Sequence, residues 1–212
     1  LAALGAVDFL MWVVTGISTG LTQGFSIQLS QYYGAKDFEN LRKSLAHSYR
    51  LTAFIAAGVF ILSQSFASLV LTGLHTPSNI IGMSLLYLRI IFCGIPATAA
   101  YNMFASALRA MGNSKTPLTA MIIASVLNVS LDLLFVAGFG WGVAGAAIAT
   151  VIAQSFSAVY CFLILRRIDI VHLTRADFMP AAGMNARLMK LGIPVVFQNI
   201  IIGVGGLVVQ YV

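Results

Sequence analysis

Apolar and polar positions divide the chain into five complete apolar runs and a sixth that reaches the last residue. The complete runs extend from about Leu4 to Tyr33, Leu45 to Gly73, Asn79 to Leu108, Leu118 to Phe139 and Val143 to Leu165; the sixth starts near Leu188. A helix rises ~1.5 Å per residue, and ~20 apolar residues cross a ~30 Å hydrocarbon core, so each complete run can span a bilayer. The runs are continuous and lack the two-residue alternation of barrel strands, which predicts helices. The expected fold class is therefore all-α, a polytopic membrane helix bundle.

Composition agrees. Of 212 residues, 59% are hydrophobic and 8% charged, and the mean hydropathy is +0.94. A soluble domain carries about 25% charged residues, so this chain cannot cover a water-facing surface, and the lipid bilayer is its expected surroundings. The net charge of +6 does not point to nucleic acid, because the basic residues sit in short clusters between apolar runs. Lys36, Arg42 and Lys43 follow the first run, and Arg109 and Lys115 follow the third. Arg166, Arg167, Arg175, Arg187 and Lys190 follow the fifth, while TGLHTPSN and GFGWG carry no Lys or Arg. Every second connection is basic, so the basic loops are predicted to be cytoplasmic in a multi-pass protein of the cell (cytoplasmic or inner) membrane. Cys93 and Cys161 each stand alone in an apolar run and are expected to be small buried fillers. No Met or basic leader precedes Leu1, and the final apolar run, IIIGVGGLVVQYV, is open-ended. The chain is expected to be part of a longer one.

One acid stands out. NVSLDLLFVAGFGWGVAGAAIAT holds Asp132 with no Lys or Arg in the stretch. Counting from Pro117, Asp132 lies ~22 Å up a ~30 Å core. Asn128 is one turn earlier on the same face. The tight GFGWG turn makes the fourth and fifth spans antiparallel neighbours, and the count from Val143 puts Thr150 at the same depth, ~10 Å below the outer surface. Gln154 continues the stripe one turn deeper. An acid at the bilayer centre costs ~2.5–3.5 kcal/mol on insertion scales. It persists by facing a cavity, pairing, binding a cation or taking up a proton. The plainer alternative is that Asp132 is wetted from the outer interface or bonded only to neighbouring helices.

The other polar positions are weaker candidates. Arg89 lies ~28 Å from Leu108 along its span and is expected to snorkel to the outer interface, with a salt bridge to Asp132 as the alternative. Asp8 is expected to be interfacial. Pro96 should kink the third span and is a hinge candidate. Gly16, Gly20 and Gly24 recur every fourth residue and permit close helix approach. Gln23, Gln198 and Asn199 are candidates to line a cavity, and Gln28 and Gln31 share the helix of Gln23. Phe178, Met179 and Met184 are candidates to rest on the membrane surface, although an ordinary linker explains them as well. No enzyme is indicated: His47, His75 and His172 sit in or beside loops, and there is no HExxH, no GxxxxGK[ST] and no second intramembrane Asp.

GLTQGFSIQLSQYYGAKDFENLRKS resembles the second helix and following loop of the multidrug and toxic compound extrusion (MATE) transporters. ALRAMGNSKTP is similar to that family's loop after the fourth helix, NVSLDLLFVAGFGWGVAGAAIAT to its fifth and sixth helices, and LMKLGIPVVFQ to the start of its seventh. The resemblance covers nearly the whole chain. It implies a twelve-helix protein of two six-helix lobes that exports amphipathic, often cationic, drugs or metabolites in exchange for sodium or protons. Residues 1–165 would be most of the amino-terminal lobe, 166–187 a cytoplasmic linker and 188–212 the first helix of the second lobe. The remainder of the same transporter would be the partner, and no cofactor or metal beyond sodium at Asp132 would be needed. The family's cation-site residues on helices five and six map to Asn128, Asp132 and Thr150; its first-helix acid has no counterpart here. A lipid-linked saccharide flippase and a non-transporting membrane scaffold are the alternatives.

Overall fold

The computed structural model describes residues 2–73 and 81–211, with side chains placed for 15–69, 71–72 and 81–203. His75 and the side chain of Asp8 fall outside the described residues. Seven α-helices follow one another: α1 (Ala2–Gly34), α2 (Phe38–Gly73), α3 (Ile81–Cys93), α4 (Ile95–Ala110), α5 (Lys115–Asp132), α6 (Gly142–Arg166) and α7 (Met184–Tyr211). There is no strand among the described residues. Five stretches among them are long and apolar enough to cross a membrane, with α3 and α4 counting as one.

The apolar runs locate the helices, and polar residues set where they end. Asp37 caps α2: its Oδ1 accepts from the Asn40 N–H at 3.1 Å, and its carbonyl accepts from Leu41 N–H. The helix therefore starts at Phe38 rather than at the apolar boundary Leu45, and Glu39 and Lys43 pair along its first turns. α7 likewise begins at Met184, four residues before the predicted start at Leu188. The run from Asn79 to Leu108 is interrupted. Gly94 separates α3 from α4, and Pro96 sits in the first turn of α4, where its missing N–H leaves no donor for the carbonyl one turn back. The predicted kink is thus a break two residues before the proline. α5 also departs from a uniform helix, because Leu133–Gly138 form π-helical turns closed by Phe139 N–H donating to the Leu134 carbonyl. Gly140 then takes φ +68°, a conformation that costs a glycine little, and turns the chain into α6.

The buried core gathers α1, α2, α4, α6 and α7 around Phe25, Leu45, Met103, Leu108, Leu165 and Leu188. α1 and α7 pack most closely: a Cβ on Gly24 would stand 2.3 Å from Gly192 Cα, and one on Gly20 would stand 2.8 Å from Val196 Cα. Gly16 meets nothing within 4 Å, so close approach is confined to two of the three predicted glycines. Cys161 is fully buried, but Cys93 is exposed and accepts from Gln64 Nε2, which corrects its reading as a buried filler. The segment between α6 and α7 is built rather than slack. Met184 is buried against Leu188 and lies 3.2 Å from Gln28 Nε2, instead of resting on the membrane surface. His47 is no loop residue: it is buried in α2 and bonds Asn185 Oδ1 at 2.7 Å and the Met179 carbonyl at 3.1 Å.

Candidate functional site

Thr, Asn, Gln and Ser on α1, α4, α5 and α6 meet inside the bundle. Each is short enough to pack in an apolar interface and carries a donor or acceptor that must find a partner there. Asn102 Nδ2 donates to Thr19 Oγ1 at 3.0 Å, linking α4 to α1. The Thr98 hydroxyl contacts Gln154 Oε1, linking α4 to α6. Asn128 Nδ2 donates to Thr150 Oγ1 at 3.4 Å, linking α5 to α6, while the Thr150 hydroxyl donates to the Ala146 carbonyl at 3.0 Å. These side chains surround a cavity of about 370 Å³. A smaller cavity of about 170 Å³ adjoins it, sharing Thr98, Thr150 and Gln154 and reaching Tyr87 and Ser18.

Asp132 lies one turn beyond Asn128, at the last α-helical residue before the π turns. It is half-buried, and its Oδ1 is buried with no hydrogen-bond partner. Neither cavity wall includes it. Just outward, Phe135, Phe139 and Trp141 stack with centroids 5.1–6.1 Å apart. Gly145 lets this cluster close onto α6, since a Cβ there would sit 2.9 Å from Phe135 Cβ. An aromatic cluster thus follows the acid at the turn into α6.

The remaining candidates are dispersed. Gln23 and Gln198 are exposed and Asn199 is half-buried, all away from both cavities. Gln31 is exposed, while Gln28 is buried and occupied by Tyr32 and Met184. Pro96 faces a separate apolar groove. Arg89 is exposed and makes no ion pair with Asp132; the ion pairs among the described residues are Arg42–Asp177, Lys43–Glu39 and His172–Asp169. Sequence reasoning passed over Thr98, Asn102 and Thr19. The signal was present in α4, where Thr98 and Asn102 stand four apart on one helix face within an apolar run.

The sequence model of the MatE family matches residues 1–134. The chain is 32% identical to "Probable multidrug resistance protein YpnP" of Bacillus subtilis (strain 168) over 213 residues, covering 99% of this chain and 48% of that protein. It is 24% identical to "Multidrug export protein MepA" of Staphylococcus saprophyticus over 93% of this chain and 44% of that one. The chain therefore spans about half the length of the curated relatives it matches. Its fold superposes on the inward-facing conformation of a multidrug resistance MATE family transporter with a TM-score of 0.87 and 23% identity, covering 96% of this chain and 47% of the other. The outward-facing conformation of such a transporter gives 0.85 and 24%, covering 94% and 45%. With a family match over more than half its length, the chain belongs to the MatE family of multidrug and toxic compound extrusion transporters.

Proposed function

We propose that this chain is part of a secondary active antiporter of the cell membrane that exports amphipathic, often cationic, compounds in exchange for sodium or protons, with Asp132 as the coupling acid. One observation carries the reading: inside a membrane span, a carboxylate oxygen is sealed from water and given no donor. An ionised carboxylate in that setting is costly, and either a proton or a hard cation relieves it. Asn128 and Thr150 stand one turn deeper as neutral oxygen ligands, the kind such a cation prefers. The adjoining cavity supports the substrate class. Its size suits a small molecule, and no Lys or Arg among the described residues lines it, so it favours a cation over the pyrophosphate of a lipid-linked saccharide. On this reading, residues 1–165 belong to the amino-terminal lobe, 166–187 connect, and 188–212 open the second lobe.

The test is Asp132→Asn in the full-length transporter, in vesicles loaded with a fluorescent cation under an imposed sodium or proton gradient. Gradient-driven export falls to background while the protein still inserts in normal amount. Export at the unmodified rate would overturn the assignment.

A further inference from the structure

The polar cavities use one face of α4; another face bounds a different space. α2 and α6 both pack on α4 and, among the described residues, not on each other. The gap between them is an apolar groove of about 420 Å³, floored by Ala99 and Met103 and walled by Ala56, Phe60 and Phe162. Its rim residues Ala53, Ala57, Pro96 and Phe162 are exposed, so the groove opens sideways to where lipid chains lie. At one end it adjoins a second cavity of about 320 Å³ formed by Arg166, His172, Leu173 and Phe178. Tyr49 and Phe162 belong to both walls. At that junction Tyr49, Phe104 and Phe162 meet in series, the first pair edge to face and the second tilted, with centroids 5.5 and 5.2 Å apart.

Polarity is graded along this path. From Tyr49 to Phe60 the groove follows α2 for eleven residues, ~16 Å, about the reach of an acyl chain. Thr52, one turn inward from Tyr49, is 8% exposed and lines the groove; its hydroxyl is buried with no partner. The guanidinium of Arg166 stands at the other end, on the basic side of the bundle, with no ion pair among the described residues. His172 is already 3.7 Å from Asp169, and Arg50 donates to the Phe178 carbonyl, fastening the wall.

We infer that this groove holds an anionic phospholipid of the basic-side leaflet. One acyl chain lies between α2 and α6 on α4, and the phosphate faces Arg166. This site is separate from the ion-coupling assignment and stands without it.

Native mass spectrometry of the full-length protein tests it, with equal amounts of dioleoyl-phosphatidylglycerol and dioleoyl-phosphatidylcholine. The unmodified protein retains phosphatidylglycerol preferentially. Arg166→Gln, at an exposed position, reduces that preference about fivefold, the effect of one basic residue against anionic lipid. Ala57→Phe fills the mouth of the groove and removes the tightly held lipid of either kind. Equal retention of the two lipids by the unmodified protein, or a preference that survives Arg166→Gln, would sink the proposal. Lipid retention untouched by Ala57→Phe would do the same, since it would mean that another segment of the transporter fills the groove.

Discussion

Two aspartates with buried carboxylate oxygens receive opposite treatment. Asp177 lies between α6 and α7 and is 5% exposed. Its Oδ2 accepts from the Thr174 N–H at 2.7 Å and the Thr174 hydroxyl at 2.8 Å, and its Oδ1 is 3.8 Å from Arg42 Nε. Every element of a stable anion is supplied by a single turn of chain and one guanidinium. Asp132, within the span, has a buried oxygen with no donor at all. Burial of an oxygen alone therefore does not separate the two. The donors do: the charge of Asp177 is answered by the protein, and one oxygen of Asp132 is left without a donor.

Exchanging the two roles is the sharpest test of that contrast. Asp132→Asn should abolish gradient-driven export, the largest effect expected, yet leave the melting temperature unchanged or raised, because an unpaired buried charge is costly to keep. In the unmodified transporter, added sodium should raise the melting temperature; in Asp132→Asn it should not. Asp177→Ala should show the reverse. It strips the capping box from the short helix Arg175–Phe178 and leaves Thr174 donors without acceptors, costing about 1–2 kcal/mol of stability, with the response to the ion intact. An ion response lost in Asp177→Ala and kept in Asp132→Asn would invert the comparison. Thr150→Val is a gentler probe of the same site. It removes the acceptor of Asn128, a bond worth about 0.5–1.5 kcal/mol, and should weaken the half-maximal coupling-ion concentration roughly two- to tenfold.

Run length and loop charge made the spans legible, because a bilayer imposes both directly on the sequence. Counting at a uniform rise put Asp132 and Thr150 at one depth, whereas the structure sets Thr150 against Asn128, one turn deeper. Counting could not give rotation about the helix axes, so the hydrogen bond between Asn128 and Thr150 had to come from how α5 and α6 pack. The π turns after Asp132 were invisible for a related reason. LLFVAG has nothing in its local pattern to demand them, and they accompany the stacking of Phe135 on Trp141 over Gly145, which is tertiary. Gln23 and Gln198, polar in apolar runs, line neither of the two cavities. Thr98 and Asn102, equally polar, were the ones facing inward. His47 was misplaced by its nearness to a basic loop: the helix starts earlier than the apolar run, and so carries His47 into a buried seam.

A third acid, Asp37, extends the comparison to the surface, where the smallest effect is expected. Asn40 donates to it from its side-chain amide at 2.7 Å and from its backbone N–H at 3.1 Å. Chiefly the side-chain bond, then the backbone bond, hold its carboxyl below the ordinary value of 3.8, with Lys43 adding slightly and partial burial opposing. A depressed folded-state pKa means that the unfolded chain binds the proton more readily. The contribution of Asp37 is therefore complete above its ordinary value and is lost as pH falls through the lowered one. Asp37→Asn keeps an acceptor at the cap of α2 but cannot titrate. The difference in melting temperature between Asp37→Asn and the unmodified transporter should be flat above about pH 5 and shift in favour of the variant toward about pH 3. Because Asp132 and Asp177 are the same in both proteins, the difference isolates the cap. A shift of the opposite sign would mean that the Asn40 bonds favour the protonated acid, and that an exposed, donor-rich carboxylate here behaves like the unanswered one in the membrane.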